Sequence, residues 1–169
     1  MDHVDVIIRQ WAAERPDLDT RAMAVIGRVA RLSMAYTQGM QRTFGRYGLN
    51  PAKFDVLATL LRSGPPYALS PGALLDTTMV ASGTMTNRID RLEQDGLVER
   101  RKNPEDSRSV IIALTPKGQA LINEMMAAHV ATQSQLLEGL TAEEQEALTT
   151  LLAKALNSAE TSNSHADQA

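Results

Sequence analysis

Three times in this chain a short polar residue and a proline stand together at the head of an apolar helical run, at Asn50-Pro51, Ser70-Pro71 and Thr115-Pro116, while a fourth such pair, Asn103-Pro104, falls in a turn-like stretch. The Asn, Ser or Thr oxygen accepts an orphan amide hydrogen at a helix start, and proline lacks the N–H that would go unpaired at the first helical position. Thr141, with Glu144 three residues on, adds a start of the capping-box type. These signals commit the chain to a mainly helical fold. The apolar spacing fills in the elements. A short helix covers about 3–14, with Val4, Ile7, Ile8 and Trp11 on one face. Asp19 or Thr20 caps a longer helix to about 45, with Ile26, Val29, Leu32, Tyr36, Met40 and Phe44 at threes and fours. Helices follow at about 51–62, 70–77, 116–139 and 142–158, and Ser63-Gly64-Pro65-Pro66 is a loop. The last residues, 159–169, have no apolar anchor and are expected as a flexible tail.

Residues 82–115 break the helical pattern. Met85, Ile89 and Leu92 share one helical face and point to a core, while Thr84, Thr86, Asn87, Arg88 and Arg91 lie mainly on other faces. Asp95-Gly96 stops that helix. Leu97–Lys102 reads as a strand, Asn103–Ser107 as a turn, and Ser109–Leu114 as a second strand with Val110, Ile112 and Leu114 on one side. A helix followed by a short hairpin suits DNA, because the helix fits the major groove and the hairpin reaches a neighbouring minor groove. Thr, Asn and Arg side chains on the outer face suit base edges and phosphates. Asp106, two residues before Arg108, can hold that arginine extended for the minor groove. The competing reading is an ordinary solvated helix and a surface ion pair of little worth.

Composition removes several classes. There is no cysteine, so disulfides and thiolate metal sites are excluded. His3, His129 and His165 form no metal-ligand pair at helical spacing. No nucleophile elbow, P-loop, HExxH or dinucleotide glycine pattern is present, so neither an enzyme nor a cofactor is expected. The N-terminus mixes acids into its apolar positions unlike a signal peptide, and no apolar run approaches the ~20 residues of a spanning helix. A cytoplasmic protein with no membrane partner is expected. The net charge of −3 argues weakly against nucleic acid, but five acids and one base lie after residue 140, so residues 1–140 carry +1. Within 82–108 six bases face six acids. A DNA-binding claim therefore rests on which faces those charges occupy.

The short helix LSPGALLDTT, the helix SGTMTNRIDRLEQDGLV, the wing Asp106-Ser107-Arg108 and the run ALTPKG together resemble the MarR family of winged helix–turn–helix regulators over roughly residues 25–158. One departure is Ser107, where wings of the family often carry the first of two adjacent arginines. The resemblance implies a winged helix–turn–helix fold, mainly α with a small two-stranded β-wing. It also implies a homodimer whose N- and C-terminal helices interlock, and repression of a pseudo-palindromic operator relieved by a small ligand. The organisation expected is 1–48 (dimerisation, wall of a ligand pocket), 49–115 (DNA binding), 116–158 (dimerisation) and the tail. The DNA-contacting set is Ser70, Ser82, Thr84, Thr86, Asn87, Arg88, Arg91, Asp106 and Arg108.

VIIRQWAAERPDLDT followed by AVIGRVARL looks like the urate-responsive branch of that family, which has an extra first helix carrying a tryptophan. This likeness implies a ligand set of Trp11, Asp55, Arg88 and Arg100. Trp11 offers a stacking face or an indole N–H, and Arg100 a fork for an anionic edge. Asp55 is repelled by the anion or accepts a ring N–H, and Arg88 carries the effect into the DNA helix. Each has a plainer reading. Trp11 anchors a dimer, Asp55 favours its helix dipole, Arg88 serves DNA alone, and Arg100 contacts phosphate. The effector is then a purine such as urate or xanthine, or an aromatic carboxylate or phenol. A DNA-binding module without a ligand is the remaining alternative.

Overall fold

The computed structural model describes residues 1–78, 85–104, 106 and 108–166, with only the backbone of His165 and Ala166. The elements are α1 (His3–Glu14), α2 (Arg21–Arg46), α3 (Pro51–Arg62), β1 (Ala68–Leu69), α4 (Pro71–Thr77), α5 (Met85–Gln94), β2 (Val98–Lys102), β3 (Val110–Leu114), α6 (Pro116–Leu136) and α7 (Ala142–Ala166). The described chain divides into two compact units, Met1–Thr132 and Gln133–Ala169.

The four helix starts form as the sequence requires. Asn50 accepts from the Lys53 amide at 2.8 Å, Ser70 from Ala73 at 3.1 Å and Thr115 from Gly118 at 3.0 Å. Thr141 and Glu144 cap each other reciprocally at 2.8 and 3.3 Å. Each such cap contributes about 1 kcal/mol. Thr20 occupies the cap position of α2 without a side-chain bond, and Asp19 accepts from the Arg21 amide instead.

Two expectations are corrected. The two-stranded wing forms from β2 and β3 as expected, but the sheet is extended by a third antiparallel strand, β1, in the order β1-β3-β2. Ala68 pairs with Ala113 and Leu69 with Ile112, so β3 is the central strand, and Ile112, Ala113 and Leu114 are all buried. A two-residue strand carries no readable alternation, which is why the sequence hid it. The second correction concerns the tail. The helix expected to end near residue 158 continues to Ala166. No Gly or Pro interrupts it, and Thr161, Ser162 and Ser164 turn their hydroxyls back onto the carbonyls of Asn157, Ser158 and Glu160.

In the first unit the core lies between α3, α4, α5 and the sheet. Val56, Leu57, Leu60, Leu74, Leu92 and Ile112 are fully buried there, and each contributes about 1.5–3 kcal/mol. The C-terminal end of α2 packs on α3 and α6. The Phe44 and Phe54 rings lie 5.1 Å apart, His129 stacks 4.5 Å from Phe54, and the Thr43 and Thr132 hydroxyls meet at 2.8 Å. At its other end α2 carries α1. Val4 is buried against Gly27, and Arg28 pairs with Asp2 at 2.9 Å and with Asp5. In the second unit α7 exposes Leu151, Leu152 and Leu156.

Glycine is demanded where α6 begins. A Cβ on Gly118 would stand 1.9 Å from the Leu97 carbonyl oxygen. Gly118→Ala is expected to destabilise the fold by about 1–3 kcal/mol through overpacking. Gly45→Ala, with nothing within 4 Å, should gain up to about 1 kcal/mol of helix propensity; urea melts of both variants check the pair.

Burial also lowers the pKa of His129 from its ordinary 6.5. The unfolded chain therefore takes up a proton at a higher pH than the folded one, so this residue costs stability as pH falls below about 6.5. His129→Phe should flatten the difference between melts at about pH 7.5 and 5.5.

Candidate nucleic-acid interface

Helix α5 has three differently furnished sides. Met85, Ile89 and Leu92 face the core. Thr86, Asn87 and Arg91 are exposed, and Arg88 is half-buried. On one flank Arg88 and Arg91, with Asn87, line a cleft of about 250 Å³ whose opposite wall is Asn50, Ala52 and Lys53 of the α3 start. On the other flank Asp90 and Glu93 face β2 and are taken up by Arg100, Asp90 at 2.5 Å.

The six acids of 82–108 are thereby accounted for, except Glu105, which lies outside the described residues. Asp90 and Glu93 pair with Arg100, Asp95 with Lys53 at 2.5 Å, Glu99 with Arg101, and Asp106 with Arg108 at 3.5 Å. The Asp90 hydrogen bond is the largest influence holding the Arg100 guanidinium above its ordinary pKa, with Glu93 adding to it. Every described acid of the segment has a cation beside it, which lowers the repulsion a phosphate backbone would meet.

The wing presents Arg108 with its side chain 93% exposed. Asp106 accepts from the Arg108 backbone amide at 3.0 Å and from its Nε at 3.5 Å, the arrangement that the two-residue spacing anticipates. Ser70 caps α4 at an exposed position. Ser82 and Thr84 lie outside the described residues.

The four residues of the expected ligand set are not all brought together. Asp55 is buried on α3, and α3 packs against the helix that carries Arg88. Arg100 is engaged with that same helix. Trp11, 39% exposed, sits near the start of α2, because Val4 meets Gly27 and the two helices run antiparallel. Phe44, which touches α3, lies roughly 30 Å further along α2 at the usual helical rise. One protomer alone does not place Trp11 beside Asp55, Arg88 or Arg100.

A profile of the MarR family matches residues 47–109. The HTH-type transcriptional regulator PecS of Dickeya dadantii (strain 3937) is 42% identical over 151 residues, covering 89% of this chain and 91% of that protein. The chain belongs to the MarR family. Solved structures agree. A mutant MarR from E. coli complexed with operator DNA superposes with a TM-score of 0.69 at 27% identity, over 81% of this chain and 97% of the other. Bordetella bronchiseptica BpsR, solved in a study of how 6-hydroxynicotinic acid regulates its DNA binding, gives 0.68 at 29% identity over 78% and 91%. The protein is thus a DNA-binding transcriptional regulator of the MarR family and not an enzyme.

Sequence reasoning missed Asn50 and Lys53 as walls of the basic cleft. One signal was available: Lys53 is a cation in the first turn of a helix, where the dipole disfavours positive charge, so a partner outside the helix was implied.

Arg108→Ala is expected to weaken DNA binding and to lower the slope of log affinity against log salt by about 1. Its exposure leaves the melting temperature unchanged. Gel shifts across a salt series check this, and an unaltered slope and affinity would remove Arg108 from the interface.

Proposed function

We propose that this MarR-family protein is a homodimeric repressor that leaves a pseudo-palindromic operator when a small planar anion, urate or a related purine, binds it. The observation that carries the DNA half is the furnishing of α5: Asn87, Arg88 and Arg91 line a basic cleft, while the acids of the opposite flank are tied to Arg100. Asn and Arg read base edges, and the Lys53–Arg88–Arg91 cleft suits a phosphate. Ser70, Ser82, Thr84, Thr86, Asp106 and Arg108 complete the contacting set.

The homodimer is supported by apolar surface left uncovered. Met23, Val25, Ile26, Val29 and Met34 are exposed along α2, and Leu151, Leu152 and Leu156 along α7. A second copy covers such stripes, and two-fold symmetry matches two half-sites.

The effector half rests on Trp11, Asp55, Arg88 and Arg100. Urate is flat and anionic at neutral pH, so it stacks on an indole and competes with Asp90 and Glu93 for the Arg100 guanidinium fork. Because Trp11 lies far from Asp55 within one protomer, Trp11 of the partner subunit closes the site in this reading. Ligand that disturbs Asp55 and Arg88 shifts α5, with a coupling of about 1–3 kcal/mol. BpsR gives a second reading some support, since 6-hydroxynicotinic acid is a planar aromatic acid and would use the same fork and aromatic face.

Trp11 is the only tryptophan, so its emission reports binding directly. Titration with urate, xanthine and 6-hydroxynicotinic acid should change that emission over the concentration range in which a gel shift shows DNA release. A response to the aromatic acid alone selects the second reading. No response to any of the three removes the effector half, and a monomer in sedimentation removes the dimer.

A further inference from the structure

Arg100 holds two carboxylates of the recognition helix at once. One terminal nitrogen donates to Asp90 at 2.5 Å, the other donates to Glu93, and the Arg100 backbone N–H donates to the same Glu93 carboxylate at 3.1 Å. Asp90 and Glu93 are three residues apart and share the flank of α5 that faces β2. The Arg100 side chain is 35% exposed, and the two carboxylates are 48% and 38% exposed. A single pair this exposed adds little to stability. A planar fork joined to two carboxylates has another effect: it fixes an orientation.

We propose that Arg100 is a positioning residue that sets the angle at which α5 meets DNA, so that Asp90 and Glu93 favour DNA binding although their charge opposes it. The lever arm explains why an exposed clamp matters. Helix α5 is anchored at its C-terminal end, where Asp95 pairs with Lys53 and its carbonyl accepts from Lys117 at 2.7 Å. Thr86 and Asn87 lie at the opposite end of a helix about 15 Å long. A tilt of about 10° about the anchored end moves those residues by 2–3 Å or so, which a hydrogen bond to a base edge does not survive. The clamp grips the helix between its anchor and its reading end, on the flank opposite the cleft formed with α3. The inference uses only the DNA-binding role of the family and does not depend on any effector.

The rival account makes Arg100 a direct phosphate contact and the two acids solvated bystanders. The accounts differ in sign. Removing two negative charges from a DNA-facing helix raises affinity if the acids are bystanders and lowers it if they hold the helix. The experiment is a gel shift of the full-length protein on duplex from its own upstream intergenic region, at one ionic strength and without effector. It compares Arg100→Ala, the pair Asp90→Asn with Glu93→Gln, and all three changes together, with thermal melts alongside. The expected result is a loss of about tenfold for each, and no further loss on combining them, because both break one clamp. Arg100→Lys keeps the charge but cannot span both carboxylates, and it should weaken binding as well. The proposal is overturned if the amide pair binds DNA as tightly as the parent or more tightly, if its effect adds to that of Arg100→Ala, or if Arg100→Lys matches the parent.

Discussion

The turn Asp95–Gly96–Leu97 is the point on which the rest of the first unit depends. Gly96, at φ +70°, ends α5, with the Leu97 amide returning to Leu92 and the Gly96 amide to Glu93, both at 2.9 Å. The same three residues receive the start of α6. Thr115 donates its hydroxyl to the Gly96 carbonyl at 2.7 Å and its amide to Leu97 at 3.1 Å, while Lys117 reaches the Asp95 carbonyl. Lys53 of α3 holds the Asp95 side chain. One turn therefore fixes the recognition helix, the root of the wing and the first turn of α6. Such an approach is possible only because residue 118 has no side chain. The run Leu-Thr-Pro-Lys-Gly is the sequence form of that junction: a cap, a helix start, a reaching cation and a gap.

An acidic chain that binds an acidic polymer must keep its own carboxylates out of the way. Here the sum of charges is uninformative, and the pairing decides. In the recognition segment the described acids are spent on internal cations, and those cations come from different elements: Lys53 from α3, Arg100 and Arg101 from β2, Arg108 from the wing tip. The pairs made by Arg100, Arg101 and Arg108 are exposed enough to be worth little as stability. Their joint effect is on the field the DNA meets and on where the basic side chains point.

The sequence made the elements legible wherever one residue type has one physical use. Asn, Ser or Thr before proline gave the starts of α3, α4 and α6, Asp-Gly gave the end of α5, and the spacing of Met85, Ile89 and Leu92 gave the buried face of that helix. It failed where the structure is made by partners distant in the chain. Strand β1 exists because β3 offers it an edge, and two residues hold no period of their own. The extension of α7 depends on local hydroxyl bonds and on the absence of a breaker, which a search for an apolar face does not register. At the site, the Arg108–Asp106 relation was readable from a two-residue spacing, whereas the Lys53–Asp95 and Arg100–Asp90 pairs join residues ten to forty-two positions apart.

Within one protomer Trp11 is separated from α3 by most of the length of α2. In the same protomer a signal from Trp11 to α5 has to pass along α2 and through the packed rings of Phe44, Phe54 and His129 before it reaches α3. Coupling over such a path needs an element with two discrete arrangements, and tightly packed rings resist intermediate ones. A second copy that brings its own first helix to the α3–α5 cleft needs no path of that length. In that case the contact that makes the dimer and the contact that senses the ligand are made by the same helix, and the affinity of the two copies for each other changes with ligand as a thermodynamic necessity.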